Sequence, residues 1–390
     1  MKIVHLATDE KFVPLAQSLF EEAFPGQSRY LIAKTPRGAR RYVAPAPEVS
    51  HHGSLRFRTR WIGLEFAAAD CVVVHKMSSQ LAPALRYVRP DCLVVWISGG
   101  GDYMQLLEPR LGNLLLPRTA DLLRRAPDTP RSGGLRMLWA RLRTWGRARP
   151  PRIVPALPKP PAVVSVAHRI DVFSANPADA ALLRDALPSL RARLHVIPSF
   201  TVEDVFTAGA LAMAGPDLLL GNSATPTNNH LEALELLCGR LPPGGRVVAP
   251  LSYGKASMGY ASAVAEAGRA VLGDRFDPLT DWMPIEAYNT RIAGCGFVFM
   301  NHRRQQAVGN ISAAFYRGAS VYMRRENPLY GFFAGLGLTL QAIETLEADA
   351  AAPLVALTAE QQRHNRLAIE ARYGRERVVA AIRALEGFLH

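Results

Sequence analysis

The second half of the chain alternates between short apolar runs that end in small or polar residues and longer amphipathic stretches. Runs such as DLLLGNS (217–223), GGRVVAPLSYG (244–254) and GFVFMN (296–301) are typical of parallel strands that are buried on both faces. A helical pattern follows each run, for example VGNISAAFYRGA (308–319). Because parallel strands must be joined by crossover connections, this alternation predicts a doubly wound α/β sheet with right-handed crossovers.

The first half carries the same kind of pattern less regularly. KIVHLA (2–7), DCVVVHK (70–76) and DCLVVWISGGGD (91–102) have the composition of buried strands. AVVSVAH (162–168) also favours a strand, and NPADAALLRDAL (176–187) favours a helix. We therefore predict a second α/β unit in this half, so that the chain is an α/β protein with two Rossmann-like domains facing each other.

At 390 residues the chain is long enough for two domains with separate cores. The predicted divisions are a first domain over 1–198 with a basic insertion at about 118–161, a second domain over 199–358, and a C-terminal helix over 359–390 that could pack back on the first domain.

The insertion carries much of the formal net charge of +13. Ten arginines and two aspartates lie between residues 118 and 152, and apolar residues within 131–149 recur at helical spacing. Arginines beside an apolar face with tryptophans describe a helix lying in a lipid interface, and a basic helix packed on its own domain is the alternative. The predicted membrane contacts are Arg136, Trp139, Arg143 and Trp145.

Several function classes lack their usual sequence signals. No apolar run approaches the roughly 20 residues of a membrane-spanning helix, and MKIVHLATDE does not have the pattern of a signal peptide. The four cysteines form no CxxC pair, which favours reduced thiols in a cytoplasmic protein. No GxGxxG fingerprint, P-loop or acidic metal motif follows a strand, so we expect neither a metal nor another cofactor.

Polar residues and glycines follow four of the predicted strands in the second half. In a doubly wound sheet, ligands bind beyond the carboxyl ends of the strands, and a helix N-terminus there offers free amides to a diphosphate. The pattern predicts a nucleotide or nucleotide-sugar site, although capped turns and solvated loops explain each feature taken alone. The candidate donor-binding residues are Asn222, Ser223, Asn229, Tyr253, Gly254, Gln305, Gln306, Gly309, Asn310, Glu326 and Asn327.

These residues resemble the bacterial TDP-N-acetylfucosamine:lipid II N-acetylfucosaminyltransferase family, the 4-alpha-L-fucosyltransferases of enterobacterial common antigen synthesis. In the first half the resemblance is limited to His75 and to Trp96 followed by Gly100-Gly101-Asp102, where Ser98 and Gly99 replace a tryptophan of the family's pattern. In the second half it runs through Leu220-Gly221-Asn222-Ser223 with Asn229-His230, Val248 to Tyr253, Glu286-Ala287-Tyr288, Arg304-Gln305-Gln306 with Gly309, and Arg325-Glu326-Asn327-Pro328.

The resemblance implies a GT-B fold and a glycosyltransferase peripheral to the cytoplasmic face of the bacterial inner membrane. It implies a TDP-sugar donor carrying a 4-acetamido-4,6-dideoxyhexose and a polyprenyl-diphosphate-linked saccharide acceptor. Donors at Asn222/Ser223 and Gln305/Gln306 would stabilise the negative charge on the leaving diphosphate. Glu326 would hold the ribose, and Tyr253 would pack near the base or phosphate. For an inverting transfer, Asp102 is the first candidate for the catalytic base and His75 the second.

Three other interpretations stay open at this point. A transferase of the same architecture could use another nucleotide sugar or acceptor. A soluble sugar-nucleotide 2-epimerase shares the two-domain architecture and would have no use for a basic amphipathic segment. A nucleic-acid-binding protein would suit the isoelectric point near 10, but the basic residues do not alternate with aromatic residues as in a stacking surface.

Overall fold

The computed structural model describes residues 1–34, 42–125, 160–205, 212–254 and 258–389. In these residues the chain forms two sheets in which all neighbouring strands are parallel, with helices between consecutive strands. The first sheet has the order β3-β2-β1-β4-β5-β6-β7 and the second has the order β10-β9-β8-β11-β12-β13. The predicted doubly wound α/β fold is confirmed.

The strands of the first sheet are β1 (Ile3–Thr8), β2 (Ser28–Ala33), β3 (Val49–His52), β4 (Cys71–His75), β5 (Leu93–Ile97), β6 (Val172–Ser174) and β7 (Arg193–Leu194). Those of the second sheet are β8 (Leu218–Leu220), β9 (Val247–Pro250), β10 (Phe276–Leu279), β11 (Phe297–Met300), β12 (Ser320–Met323) and β13 (Gln341–Ala342).

The described helices before the second sheet are α1 (Val13–Ala23), α2 (Ile62–Phe66), α3 (Met104–Leu111), α4 (Pro117–Arg125), α5 (Pro177–Ala186) and α6 (Val202–Val205). The later ones are α7 (His230–Leu237), α8 (Met258–Leu272), α9 (Ile285–Ile292), α10 (Val308–Tyr316), α11 (Pro328–Gly335), α12 (Ile343–Ala348), α13 (Ala359–Tyr373) and α14 (Arg375–Arg383).

The central strands are buried on both faces, as their sequences predict. Val72, Val73 and Val74 of β4 are fully buried, and β-branched side chains of this kind pack well between two helical layers. In each sheet the first strand lies between later ones, β1 between β2 and β4, and β8 between β9 and β11. This arrangement opens a crevice at the carboxyl ends of the strands of both sheets.

Two predictions about secondary structure were wrong. Residues 162–168 form short 3-10 turns, Ala162–Ser165 and Ala167–Arg169, because Val163 and Ala167 face the core four residues apart, as in a helix and not as in a strand. The terminal helix is two helices, because Gly374 between them has an extended conformation with ψ 143°.

That break lets the chain return to the first sheet. Helix α13 packs against α10 beside the second sheet, whereas α14 packs against α1 beside the first. Val378 and Ile382 of α14 share one apolar cluster with Leu19 and Phe20 of α1. Arg375 reinforces this contact with hydrogen bonds to Glu22 at 2.7 Å and to two further side chains.

A second crossing runs in the other direction. Residues 113–125 come before the second sheet in sequence but lie against its helix α7. Thr119 donates its hydroxyl to Glu232 at 2.7 Å, and the Leu116 amide donates to Asn229 Oδ1 at 2.9 Å. In the part of the chain that is described, no helix combines the length and the apolar character needed to cross a bilayer.

Candidate active site

The turn after β8 is built around a buried asparagine. Gly221 has φ +66°, and a Cβ on it would lie 2.7 Å from Asn228 Oδ1, so only glycine fits here without strain. Asn228 Oδ1 accepts hydrogen bonds from the Asn222 amide at 3.2 Å and from His302 Nε2 at 2.8 Å. Its Nδ2 donates to two carbonyls of the turn at 2.9 Å each. The buried Asn228 side chain therefore fixes the backbone of the turn from its inner side.

Above this turn, half-exposed side chains from three strand ends form one hydrogen-bonded network. Asn222 Oδ1 accepts from Gln306 Nε2 at 2.8 Å, and Gln306 Oε1 accepts from the Thr227 hydroxyl at 2.7 Å. Asn222 Nδ2 lies 3.5 Å from the Tyr253 hydroxyl, which follows β9. The structure thus brings together Asn222, Tyr253 and Gln306, which the sequence placed after three different strands.

Helix α10 begins directly beside this network. Ala307 has φ +60° and turns the chain so that the first intrahelical bond runs from the Ile311 amide to the Ala307 carbonyl. The amides of Val308, Gly309 and Asn310 come before that bond, and such first-turn amides carry the positive end of the helix dipole. Gln306 and this helix N-terminus therefore offer donors to the same volume, which suits an anion such as a diphosphate.

The end of β12 supplies a carboxylate at the opening. Glu326 forms a bidentate pair with Arg303, with both Nε–Oε1 and Nη2–Oε2 distances at 2.6 Å. Its neighbour Asn327 is fully buried, caps α11 through the Leu329 amide at 3.0 Å and donates to the His302 carbonyl at 3.1 Å. Glu326 is therefore exposed at the carboxyl end of β12, and Asn327 supports the same edge from inside.

Three other residues that were predicted to contact the donor, Asn229, Ser223 and Gly254, instead support the structure of the turns. Asn229 is fully buried and its Nδ2 donates to the carbonyls of Leu114 and Asn301 at 3.1 Å each. Ser223 is buried and donates its hydroxyl to Thr225 at 2.9 Å. Gly254, with φ +140°, leaves no room for a Cβ above the same turn. The polar character of the motif could not distinguish these residues from those that face the crevice.

Of the two helix N-termini after these turns, only that of α10 faces the site. The prediction favoured the helix that follows residues 227–229, which is α7. The segment from Leu116 to Thr119 covers the start of α7, with the Thr119 amide and hydroxyl both bound to Glu232. No signal in the sequence of the first half indicated this long-range contact.

In the first domain, Asp102 is turned inward. Its Oδ2 accepts hydrogen bonds from the Met77 amide and Trp96 Nε1 at 2.9 Å each, and Oδ1 accepts from the Gly99 amide at 3.0 Å. Burial raises the pKa of this carboxyl, although the three donors act in the opposite direction. Asp102 therefore holds the glycine loop 99–101 in place. Its predicted role as the catalytic base stays an untested prediction.

His75 forms a partly buried pair with His5, which is itself fully buried. Its Nε2 lies 2.9 Å from His5 Nδ1, and His5 Nε2 in turn lies 3.2 Å from the Ser28 hydroxyl. Burial lowers the pKa of His75 to about 4, so the ring is neutral at pH 7 and only weakly basic. This environment suits a structural hydrogen bond better than proton abstraction, and the predicted catalytic role of His75 is likewise untested.

Glu10 lies just past the carboxyl end of β1 and is not among the site residues predicted from the sequence. Glu10 Oε1 accepts from Lys76 Nζ at 2.7 Å and from the Thr8 hydroxyl at 3.2 Å, and about a third of its side chain is exposed. Lys76 has φ +57°, an uncommon conformation for a non-glycine residue and one that is often found at functional sites. Its stem lies against Gly99, where a Cβ would be 3.1 Å away.

The two domains meet at this edge. A Cβ on Gly100 would lie 3.4 Å from Gln305 Oε1, so the glycine loop of the first domain touches the donor side of the second. Arg304 beside it is largely buried, and burial lowers the pKa of its guanidinium while the carboxylates of Glu108 and Asp179 in the first domain raise it. Helices α5 and α11 also contact each other. Glu10, Lys76 and Gln305 are thus linked through one loop.

Two further predictions from the sequence concern the membrane contacts and a bound metal ion. The predicted membrane contacts Arg136, Trp139, Arg143 and Trp145 lie outside the described residues. Among the residues that are described, no three His, Cys, Asp or Glu side chains are grouped so that they could share a metal ion.

Comparison with known proteins identifies the kind of enzyme. Residues 168–358 match the model of the family described as 4-alpha-L-fucosyltransferase, glycosyl transferase group 56. The chain is a glycosyltransferase. The resemblance inferred from the sequence is confirmed over this range, which contains the whole network around Asn222 and Gln306 and excludes Glu10, His75 and Asp102.

The solved structures show that this glycosyltransferase has the GT-B fold. It is similar to a sucrose-phosphate synthase from Thermosynechococcus elongatus, with a TM-score of 0.61, 11% identity and coverage of 99% of this chain and 98% of that one. It is also similar to the E. coli structure described as trehalose-6-phosphate bound with UDP-2-fluoro glucose, with a TM-score of 0.57, 9% identity and coverage of 100% and 99%. At these identities the likeness concerns the fold alone.

Proposed function

We propose that this glycosyltransferase moves a 4-acetamido-4,6-dideoxyhexose, an N-acetylfucosamine-like sugar, from a TDP donor to a polyprenyl-diphosphate-linked saccharide in bacterial surface polysaccharide synthesis. The enzyme would work as a peripheral protein on the cytoplasmic face of the inner membrane. One observation carries the proposal. The amide network of Asn222 and Gln306 lies beside the open N-terminus of α10, inside the range that matches the fucosyltransferase family.

The donor diphosphate would lie between Gln306 and the first turn of α10. As the bond to the sugar breaks, negative charge develops on the diphosphate, and preorganised donors stabilise that charge most where it forms. Asn222 and Thr227 orient the Gln306 amide through hydrogen bonds of 2.8 and 2.7 Å. Gln305 approaches the same volume from the contact with Gly100.

The nucleoside would lie toward β9 and β12. The Glu326 carboxylate is held by Arg303, but each carboxylate oxygen can accept a second hydrogen bond, so Glu326 can still bind two ribose hydroxyls. Tyr253 is more than half exposed and could pack against the base. Both residues follow strands of the second sheet, so the donor would bind to this domain.

The acceptor would approach from the first domain, where we assign the base to Glu10. The acceptor oxygen forms the new bond to the anomeric carbon while the bond from that carbon to the diphosphate oxygen breaks, and the electron pair leaves with the diphosphate. The acceptor proton passes to the Glu10 carboxylate. Lys76 holds this carboxylate at 2.7 Å in a position where about a third of the side chain is exposed, whereas Asp102 is buried and the ring of His75 is paired with His5. A base on the domain opposite the donor fits an inverting transfer.

Donor specificity is tested by thermal unfolding of the purified chain with TDP, UDP, GDP and their sugars. A ligand that binds the native state raises the midpoint by mass action. We expect a selective rise with TDP and TDP-sugars that is smaller in Gln306→Ala, because this variant should bind TDP more weakly. A rise with UDP or GDP alone would keep the transferase and discard the proposed donor, and no response to any nucleotide would remove the proposed site.

The base is tested with Glu10→Gln and with Glu48→Gln, an exposed glutamate of the same domain, as the matched control. We expect Glu10→Gln to lower kcat by about a hundredfold or more, because general base catalysis contributes on that order. The TDP-induced thermal shift should stay unchanged, since Glu10 is not on the donor side. Wild-type turnover by Glu10→Gln, or a product that retains the donor's anomeric configuration, would contradict this assignment.

A further inference from the structure

A short segment of the first domain exposes large apolar side chains to solvent. In residues 55–64, the relative exposures are 75% for Leu55, 67% for Leu64 and 53% for Trp61. Scattered exposed apolar residues are ordinary, but three within ten residues are a local concentration that requires explanation. We refer to Leu55, Arg58, Arg60, Trp61 and Leu64 as the 55–64 patch.

The patch is rigid because the residues that lie between and directly after its five members are packed into the core. Phe57, Ile62 and Phe66 are fully buried in the main apolar cluster of the first domain. Ile62 and Phe66 lie on the inner face of α2, four residues apart, so Leu64 and the preceding Trp61 point to the opposite side. The exposure of these side chains is thus imposed by the packing of α2.

The charges on the patch are those of a surface that binds anions. Arg58 and Arg60 are exposed, and among the described residues no carboxylate pairs with either guanidinium. The Arg60 guanidinium lies over the Trp61 ring at 5.6 Å from its centroid. Nearby Arg56 and Arg29 both pair with Glu65, so the sequence does contain an acid for structural ion pairs and leaves Arg58 and Arg60 without one.

The patch lies at the edge of the first sheet that borders the crevice. Leu55 follows the carboxyl end of β3, and the half-exposed Phe12 follows that of β1. Tyr42, also exposed, is held near Phe12 because its amide donates to Asp9 Oδ1 at 3.0 Å. Exposed apolar groups that follow β1 and β3, the two strands on either side of β2, therefore lie at the same edge of the first sheet as Glu10.

We infer that the 55–64 patch docks on an anionic lipid bilayer and holds the acceptor side of the crevice at the membrane surface. Aliphatic and tryptophan side chains beside unpaired arginines match an interface of acyl chains and anionic headgroups. A single-stranded nucleic acid would need a series of stacking rings, and Trp61 is the one aromatic side chain among the five residues of the 55–64 patch. The biological role of this docking rests on the proposed lipid-linked acceptor. The exposure and charge of the 55–64 patch, which support the docking itself, do not depend on that proposal.

The test measures co-sedimentation of the full chain with vesicles of phosphatidylcholine alone and of phosphatidylcholine mixed with phosphatidylglycerol. We expect Leu55→Ser/Trp61→Ser/Leu64→Ser to lower partitioning onto the mixed vesicles by about tenfold or more. Arg58→Gln/Arg60→Gln should reduce it on the mixed vesicles and leave the weak binding to phosphatidylcholine unchanged. Leu367→Ser, at an exposed leucine of α13, is the matched control and should bind as the wild type does.

Thermal unfolding separates the possible failures. Each variant must unfold near the wild-type midpoint and keep its response to TDP, because the substituted side chains are exposed and lie outside the donor site. Wild-type partitioning by the triple variant would overturn the inference even if the proposed donor is correct. The same holds if Trp139→Ser/Trp145→Ser abolishes binding while the triple variant binds normally. Binding to the mixed vesicles without any response to nucleotides would support the patch and count against the proposed function.

Discussion

Asn228 and Asn222 lie six residues apart in the same turn, and the structure gives them opposite tasks. Asn228 is fully buried and its amide makes four hydrogen bonds, two as acceptor and two as donor. Asn222 is partly exposed and its amide faces Gln306 and Tyr253. We expect Asn228→Ala to damage folding of the second domain and Asn222→Ala to damage donor binding.

The expected size of the first effect follows from the bonds of Asn228. Each hydrogen bond contributes about 1 kcal/mol net, and the substitution removes all four. It leaves the Ser223 carbonyl, the Asn222 amide and His302 Nε2 without a partner, whereas the Thr225 carbonyl keeps its bond from the Asn228 backbone amide. Asn228→Ala should therefore lower the free energy of unfolding by about 4 kcal/mol. For a domain of this size that corresponds to a fall in Tm of about 8 to 16 °C.

Differential scanning calorimetry and TDP titration of both variants check this assignment. Asn222→Ala should unfold within about 2 °C of the wild type, because water can solvate the partners of a half-exposed amide, and it should bind TDP about tenfold more weakly. If Asn228→Ala unfolds at the wild-type temperature, the buried network does not hold the turn together. If Asn222→Ala binds TDP normally, the amide network is not the donor site.

Three further predictions concern the same edge. Gly221→Ala should lower the free energy of unfolding by about 1 to 3 kcal/mol more than Gly26→Ala does, as measured by urea unfolding. Both glycines have φ near +65°, but only at Gly221 would an added Cβ meet a neighbouring atom, at 2.7 Å. Gln306→Ala should weaken TDP binding about tenfold by isothermal calorimetry while Tm changes little. Burial lowers the pKa of His302 from 6.5 to about 3, so its contribution to stability is present above pH 6.5 and is lost as the pH falls toward 3. By pH 5 the loss should be about 2 kcal/mol, and His302→Gln should remove that part of the pH dependence.

The strands and the edge that carries the proposed donor site could be predicted from the sequence because both depend on local pattern. Apolar runs such as LLLGN and FVFMN indicate where a buried strand ends, and parallel strands bring their carboxyl ends to one edge. Asn222 and Gln306, 84 residues apart, are therefore expected together and lie 2.8 Å apart. Periodicity failed at 162–168, where the apolar residues are too few to distinguish a spacing of two from one of four.

Burial of polar side chains was harder to predict, since an asparagine that supports a turn and one that faces a ligand have the same sequence signature. Asn229 and Asn327 are used by the fold, whereas Asn222 faces the crevice, and the distinction depends on contacts with Leu114 and His302 far away in the chain. The same holds for Asp102, whose three donors come from Met77, Trp96 and Gly99 and could not be assigned from a motif.

The two crossings of the chain explain why the site must be understood from both domains together. Residues 113–119 from the first half fix α7 of the second, and α14 from the end of the chain packs on α1 of the first. Arg303 extends this connection, since it binds both Glu326 and the carbonyl of Asn113. A movement of the first domain relative to the second would therefore shift Arg303 and the Glu326 carboxylate that it orients. In the proposed mechanism the donor binds Glu326 and the acceptor binds Glu10. We therefore expect ribose binding and acceptor access to be coupled through these contacts, and we expect substitution of Arg303 to alter acceptor KM as well as donor affinity.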